Sequence, residues 1–332
     1  MAYNGNVIGK SNIEGVLPEQ YSKQVIEGAI EQSITLRLMK KLPNMSAGTL
    51  KMPVLDLLPM AYFVDSSGET PGKKTPSALA WKNKTITAEE VAVIIPIPEA
   101  YLDDASFDVW GEVKPRAMEA FGTLIDSAIL FGTNKPASWP DGVAVQALSV
   151  GNAVNIGTGS DLYEDIMGES GVISKLEQEG FLADGFVADL SMRARLRGIR
   201  GTNGELIFTN SMQGATPYML DGQPIFFPRN GSFANNKIAD DGTNHTYAEL
   251  IAGEWKQAVY SIRQDMTFKI LSEGVIQDPS TGNILYNLAQ QDMVALRMVM
   301  RLGWQLPNPV NAVQTDETKR YPFAVLNLYT TA

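Results

Sequence analysis

The chain has 332 residues, enough for a substantial buried core and for two domains or subdomains. It carries 27 Lys and Arg against 37 Asp and Glu, and the formal charge of −10 disfavours non-specific nucleic-acid binding, which needs clustered cations. The lack of cysteine excludes disulfides, thiolate nucleophiles and cysteine-based zinc sites, and the single histidine, His245, is expected in a solvated loop.

Residues 1–48 are predicted to form an N-terminal arm. One helix follows Pro18, which suits a first helical position, and a shorter segment, "ITLRLMKKL", precedes Pro43. The first helix has nothing local to pack against. The start has no apolar signal segment, and no apolar run reaches the length of a membrane helix, so we expect a cytosolic product.

Residues 49–95 are predicted to form a long β-hairpin. The strand-like stretches "TLKMPVLDLLPMAYFV" and "SALAWKNKTITAEEVAVII" flank the turn-forming stretch "DSSGETPGKKTP". A two-stranded ribbon is at best marginally stable alone. Its apolar side chains, such as Leu57, Tyr62, Phe63 and Trp81, therefore need another surface, and a neighbouring subunit is the simplest choice.

The stretch "IPIPEAYLDDASFDVWGEV" (95–113) contains five acids, and it has two interpretations. A carbohydrate-active enzyme using Asp103, Asp104 or Asp108 would need a cleft with carboxylates about 5–9.5 Å apart. The favoured interpretation is the acidic start of an amphipathic helix over 106–131, because apolar residues continue at steps of three and four and acids suit a helix N-terminus. These apolar residues are Phe107, Trp110, Val113, Ala117, Met118, Phe121, Leu124, Ile125, Ala128 and Phe131.

The remaining chain is predicted to be α/β and then strand-rich. "DLYEDIMGESGVISKLEQEGF" is predicted as one helix, and "GFVADLSMRARLRGIR" as a strand followed by a helix. "GELIFTN", "GQPIFFPRNG" and "NKIADDG" are predicted strands. Two long strand-rich segments follow, bridged by the turn "QDPSTGN" (277–283). The predicted fold class is therefore α+β.

This order of elements resembles the major capsid protein of tailed bacteriophages, which has the HK97-like fold. The stretches that match best are "VIIPIPEAYLDDASFDVWGEV", "GFVADLSMRARLRGIRGTNGELIF" with "GQPIFFP", and "EWKQAVYSIRQDMTFKIL" with "MVALRMVMRLGWQLPNPVNAV". The resemblance implies a division into an N-terminal arm (1–48), an extended loop (49–95), a peripheral domain with a long spine helix (96–139), an inserted axial domain (140–254) and return strands, mostly peripheral (255–332).

The resemblance also implies the function of a structural subunit, with no enzymatic activity, cofactor or metal. Such subunits form hexamers and pentamers of an icosahedral capsid around double-stranded DNA, without sequence-specific binding. The implied partners are other copies of the chain, a portal protein, and separate scaffolding and decoration proteins where these are used; there is no membrane partner. The implied location is the virion, after synthesis in the cytoplasm of the host bacterium. The inferred inter-subunit contacts are Leu57, Tyr62, Phe63, Glu69, Lys73, Lys74, Trp81, Asp278, Asn283 and Asn287.

Some capsid proteins of this family join neighbouring subunits covalently, through a lysine on the extended loop and an asparagine on the peripheral domain. Lys73 and Lys74 lie near the lysine position and Asn287 near the asparagine, but Val294 stands where the helper glutamate is expected. We therefore expect no autocatalytic crosslink. The chain also reaches the arm too early for a cleaved scaffolding segment, so a separate scaffolding protein, or none, is expected. An encapsulin-type compartment shell, which shares this fold, remains the alternative.

Overall fold

The computed structural model describes residues 33–61, 63–64, 74, 76–104, 109–199, 219–240, 244–278 and 280–331. The helices are α1 (Ile34–Leu38), α2 (Glu99–Asp104), α3 (Val109–Phe131), α4 (Val143–Val150), α5 (Leu162–Met167), α6 (Val172–Gln178) and α7 (Met192–Gly198). The strands are β1 (Lys40–Lys41), β2 (Thr49–Leu57), β3 (Ala80–Thr87), β4 (Glu89–Pro98), β5 (Ala153–Asn155), β6 (Gly185–Ala188), β7 (Met219–Leu220), β8 (Gln223–Phe226), β9 (Lys237–Asp240), β10 (Asn244–Gly253), β11 (Val259–Leu271), β12 (Val275–Gln277), β13 (Ile284–Asn287), β14 (Met293–Gln305) and β15 (Phe323–Thr331). The predicted first arm helix and the predicted strand "GELIFTN" lie outside the described residues.

The long helix α3 packs with a four-stranded sheet of order β1-β11-β14-β4. Its buried positions Ala117, Phe121, Ile125 and Ala128 follow the predicted spacing of three and four, and burying the two large side chains, Phe121 and Ile125, contributes roughly 1.5–3 kcal/mol each. The helix runs through Pro115 as one element and ends at Gly132, whose φ of 71° favours glycine. Residues 106–108 of the predicted helix lie outside the described part.

A seven-stranded sheet of order β5-β15-β10-β6-β8-β7, with β9 also paired to β10, forms the second lobe. Alternate residues of its central strands point to opposite faces. Val187 and Ile251 face the cluster around α3, whereas Phe186 and Leu250 face a separate cluster that includes residues of α5, α6 and α7. Both faces are therefore covered, and helix and sheet are mixed as in the α+β class.

The two remaining sheets among the described residues are two-stranded ribbons, β2–β3 and β12–β13. The predicted second arm of the long hairpin, residues 77–95, is wrong as a single strand. It divides after Thr87, because β3 pairs with β2 whereas β4 crosses to the four-stranded sheet and pairs with β14. β4 is an edge strand of that sheet, where Pro96 and Pro98 are tolerated.

Other local predictions also needed correction. The predicted single helix over 161–181 is two helices, α5 and α6, because the backbone leaves the helical conformation at Gly168 and becomes extended there. His245 lies on β10 opposite Asp240 of β9, not in a loop. Asp103 and Asp104 are exposed at the end of α2, not in the first turn of α3, and Asp108 lies outside the described residues.

The final strand β15 pairs with β10 and β5 and so belongs to the seven-stranded sheet. The division that places 255–332 mostly in a peripheral domain stays a prediction. Among the described residues, no helix combines the length and the apolar character needed to span a membrane.

Candidate assembly surfaces

The β2–β3 ribbon, with the residues that continue its two strands, displays a cluster of exposed large apolar side chains. Leu57 is 46% exposed, Trp81 is 64% exposed and Phe63 is fully exposed. The whole cluster comprises Leu57, Met60, Phe63, Val64, Leu79 and Trp81. A two-stranded ribbon cannot bury such side chains by itself, so a patch of this kind is typical of an interaction surface.

The root of this ribbon is attached firmly to the body of the molecule. Ile86 is fully buried and packs in a small cluster with Met45 and Val259. The N–H of Ala88 donates to the carbonyl of Gly48 at 2.9 Å, which holds the two strand ends together. The root is therefore ordered by its own core, whereas the apolar cluster lies further out.

An ionic clamp joins the ribbon to the segment between β14 and β15. Both carboxylate oxygens of Glu317 are engaged, one by Lys82 Nζ and one by Lys84 Nζ, each at 2.8 Å. These two lysines are two residues apart on β3 and so share one face of the ribbon. Hydrogen bonds from Lys82 and then Lys84 lower the pKa of the Glu317 carboxyl to about 2. The group is 31% exposed, so solvent screening reduces its contribution to stability.

The segment 306–322 that carries Glu317 is organised by a buried arginine. The guanidinium of Arg320 donates to the side chain and carbonyl of Asn308 and to the carbonyls of Gln314 and Thr315, at 2.9–3.2 Å. In return, Asn308 Nδ2 donates to the carbonyl of Arg320 at 2.7 Å. Burial lowers the pKa of Arg320. Several main-chain acceptors therefore replace a direct carboxylate partner and hold the segment in one shape.

The β12–β13 ribbon forms a second exposed apolar surface, together with the end of β11. Its exposed large apolar side chains are Ile270, Val275, Ile284, Leu285 and Tyr286. The turn of this ribbon is tight: Asp278 accepts from the hydroxyl of Ser280 at 2.6 Å and from its N–H at 2.8 Å. These hydrogen bonds lower the pKa of Asp278, which favours the ionised carboxylate that the turn uses as its acceptor.

A buried carboxylate on α3 fixes the last part of the arm. Asp126 is fully buried, and its Oδ1 accepts from the hydroxyls of Ser33 and Thr35, at 2.7 and 2.6 Å, and from the N–H of Thr35. Its Oδ2 accepts from the N–H of Ile34 and from Asn230 Nδ2. The side chain thus satisfies donors at the start of α1, which helix ends otherwise leave unpaired.

The predicted contact residues fall on the two ribbons. Leu57, Phe63, Lys74 and Trp81 are exposed on or near β2–β3. Asp278 and Asn283 lie in the β12–β13 turn, and Asn287 is the last residue of β13 and half-buried. Tyr62, Glu69 and Lys73 lie outside the described residues. The predicted residues that the structure describes thus fall into two groups, and their contact with a neighbouring subunit stays a prediction.

The sequence missed Asp126, Glu317 and Arg320. Asp126 had a usable signal, because it is a lone charge within the apolar run "LIDSAILF" of a predicted buried helix. Glu317 and Arg320 lie in "TDETKRYP", whose composition is that of an ordinary loop. Glu317 meets its lysines across 233 and 235 residues, which no local pattern encodes.

Comparisons with known proteins match most of the chain to capsid proteins of phages. The model of the phage capsid family matches residues 14–315. The major capsid protein of Staphylococcus phage 80alpha is 26% identical over 301 residues, covering 90% of this chain and 84% of that protein. A solved structure from Microbacterium phage Oxtober96 is 32% identical with a TM-score of 0.74, over 97% of this chain and 99% of the other. One from Mycobacterium phage Cain is 30% identical with a TM-score of 0.74, over 98% and 100%.

Proposed function

The chain belongs to the phage capsid family, as a bacteriophage major capsid protein that builds the virion shell, and we propose that it assembles as hexamers and pentamers of an icosahedral capsid around double-stranded DNA. Its fold is HK97-like, as the sequence predicted. The observation that carries the proposal is the exposed apolar cluster on the β2–β3 ribbon, since copies of the chain offer the surface that would cover it.

The proposed role of each region follows the resemblance. The extended loop that reaches over a neighbour is the β2–β3 ribbon with the residues between its strands, because β4, the last part of the predicted loop 49–95, belongs to the four-stranded sheet. The helix α3 is the spine helix, and the seven-stranded lobe is the axial domain at the five- and six-fold centres. The β12–β13 turn lies near the three-fold contacts, and its exposed apolar side chains support this role. On this proposal, Leu57, Phe63 and Trp81 become buried when capsomers form.

The proposed partners beyond other copies of the chain are a portal protein and, where they are used, separate scaffolding and decoration proteins. The subunit is structural and not an enzyme. The net charge of −10 supports an inner wall that repels packaged DNA and so does not hold it in one place. Synthesis in the cytoplasm of the host bacterium precedes incorporation into the virion.

We expect the shell to lack autocatalytic crosslinks. The lysine candidates Lys73 and Lys74 and the asparagine candidate Asn287 have no helper glutamate at Val294, which lies on β14. Without a base to remove the lysine proton, the amine remains protonated and is not a nucleophile. Denaturing electrophoresis of mature particles should show a single 36.2 kDa band, and ladders above it would contradict the expectation.

Assembly is tested by electron microscopy and light scattering of the full chain expressed alone and with candidate scaffolding proteins. Closed shells or rings of five and six subunits support the proposal, and a monomer under all these conditions contradicts it. Shells from infected cells should contain DNA, whereas shells filled with a host protein cargo would favour the encapsulin-type alternative.

A matched pair of variants tests the apolar cluster. Trp81→Ser should abolish or strongly reduce shell formation without lowering the melting temperature of the monomer, because the side chain is already exposed there. Lys51→Ser is the control, since Lys51 is exposed on the neighbouring strand of the same ribbon. Equal assembly by both variants would show that Trp81 lies outside the contact.

A further inference from the structure

The segment 306–322 contacts two separate parts of the molecule. On one side it joins the seven-stranded lobe: the N–H of Tyr321 donates to the Glu179 carboxylate at 2.7 Å, and Asn311 Nδ2 donates to the Glu179 carbonyl at 2.8 Å. Glu179 follows α6, which packs on β15 and β10. This end of the segment is therefore attached to the lobe at its helix layer.

On its other side the same segment holds the β2–β3 ribbon by both strands. The N–H of Val310 donates to the carbonyl of Leu55 on β2 at 3.0 Å. Glu317 holds Lys82 and Lys84 on β3. These contacts lie near the register shift between Leu55 and Leu57, next to the exposed apolar cluster. They therefore hold the ribbon further out than its root, on the side of the exposed apolar cluster.

The geometry makes this contact decisive for the direction of the ribbon. A two-stranded ribbon bends and twists easily, because no third strand stiffens it. The root holds the ribbon at Gly48 and Ala88 and also at Thr85, whose carbonyl accepts from Gln305 Nε2 at 3.0 Å, so only the part of the ribbon beyond Thr85 is free to bend. The second attachment, at Lys82 and Lys84, restricts this bending and so fixes the direction in which the ribbon points.

We propose that the segment 306–322 is a latch that sets the angle of the β2–β3 ribbon relative to the seven-stranded lobe, with Glu317 and its two lysines as the closing contact. The latch rests on the proposed shell function, because it presents the apolar cluster to a neighbouring copy at one angle. Movement of the lobe is passed through Glu179 and the Arg320-braced segment to the ribbon, so the lobe and the β2–β3 ribbon of a subunit are coupled.

The charges around the latch agree with this role. Lys82 is also close enough to Asp56 to be influenced by its charge, and Asp56 acts in turn on Arg320. The Lys82 and Lys84 hydrogen bonds that lower the pKa of Glu317 favour its ionised form, so the latch stays closed above the ordinary value of 4.5 and opens only as the pH falls towards 2. Both partners are part-exposed, so high salt weakens the contact.

A charge swap in the full, unassembled chain tests the latch directly. The chain has no cysteine, so spin labels at Met60→Cys on the ribbon and Glu177→Cys on α6 give one defined distance. Glu317→Lys should shift or broaden the distance distribution beyond that of the labelled parent, and so should Lys82→Glu with Lys84→Glu. The three changes together should restore the narrow distribution, because the opposite charges meet again.

Controls keep a structural failure separate from an opened latch. Lys51→Glu makes the same charge reversal on an exposed lysine of β2, away from Glu317, and should leave the distance unchanged. Glu317→Gln, which keeps the size of the side chain, serves if Glu317→Lys does not fold, and it too should broaden the distribution. An unchanged distance in the folded Glu317 variant, or no restoration in the charge swap, overturns the latch.

The distance measurement also separates this inference from the proposed function. Shells that form from the parent chain while the Glu317 variants keep the parental distance refute the latch and leave the shell function intact. A restored distance in the charge swap, in a chain that never assembles under any condition, supports the latch and refutes the shell function.

Discussion

Replacing Asp126 by alanine should release α1 from the long helix. The change removes the acceptor for five donors: the hydroxyls of Ser33 and Thr35, the N–H groups of Ile34 and Thr35, and Asn230 Nδ2. The hydroxyls can turn to other acceptors, as Ser33 and Thr35 already lie 3.2 Å apart. The two main-chain N–H groups cannot turn in this way, so they determine how much free energy of unfolding the substitution removes.

An unsatisfied buried donor costs about 1–3 kcal/mol, so the two N–H groups together cost roughly 2–6 kcal/mol. Water entering at α1 reduces this, and we expect about 3 kcal/mol. Since 1.4 kcal/mol corresponds to a factor of ten, the amides at the start of α1 should exchange on the order of 100-fold faster. Hydrogen exchange of the peptide covering residues 33–39, followed by mass spectrometry, measures this change.

Two further variants make the result specific. Asp126→Asn keeps an oxygen for the donors now held by Oδ1 but places an NH₂ group against the N–H of Ile34 and Asn230 Nδ2, so an intermediate effect is expected. Glu119→Ala removes an exposed carboxylate from the same helix and should change stability by less than about 0.5 kcal/mol. Unchanged exchange in Asp126→Ala, or an equal effect in Glu119→Ala, would refute the reasoning.

The other predictions concern packing and pH. Gly303→Ala should lower stability by about 1–3 kcal/mol in thermal unfolding, because the added Cβ would collide with the main chain of Thr87 beside the ribbon root. Gly198→Ala is the control and should be neutral, because the space around Gly198 is open. Similar melting temperatures for both variants would contradict this prediction. Glu249→Gln should raise stability at pH 7 and have less effect near pH 4, as measured by a pH series of denaturant unfolding. Burial raises the pKa of Glu249 above its ordinary value of 4.5, so the folded protein loses stability as the pH rises and this buried carboxyl ionises. A larger stabilisation by Glu249→Gln at pH 4 than at pH 7 would show that the direction of this effect is wrong.

The sequence alone determined most of the local elements and their order, apart from the stretches 77–95 and 161–181, which each divide into two elements. The apolar spacing of α3 predicted the burial of Ala117, Phe121 and Ile125, because a helix on a core must turn one face inward, although Leu124 of the same predicted set is 39% exposed. The sequence predicted that a two-stranded ribbon would leave Trp81 and Phe63 unburied, and both are exposed; their contact with a neighbouring subunit stays a prediction. The resemblance of the whole order predicted the family that the comparisons then showed.

Only the tertiary structure decided which distant segments meet. Periodicity reports that one side of a strand is buried, but it does not say which strand lies beside it. Periodicity therefore could not predict that the chain passes from one sheet to another at Ala88, within a stretch that looks like one strand. Nor could it predict that β15, at the far end of the sequence, joins the seven-stranded sheet. The contacts of Asp126 and Glu317 span about ninety residues and more than two hundred, and they exist because tertiary packing brings the end of the arm onto α3 and the β2–β3 ribbon beside the segment 306–322.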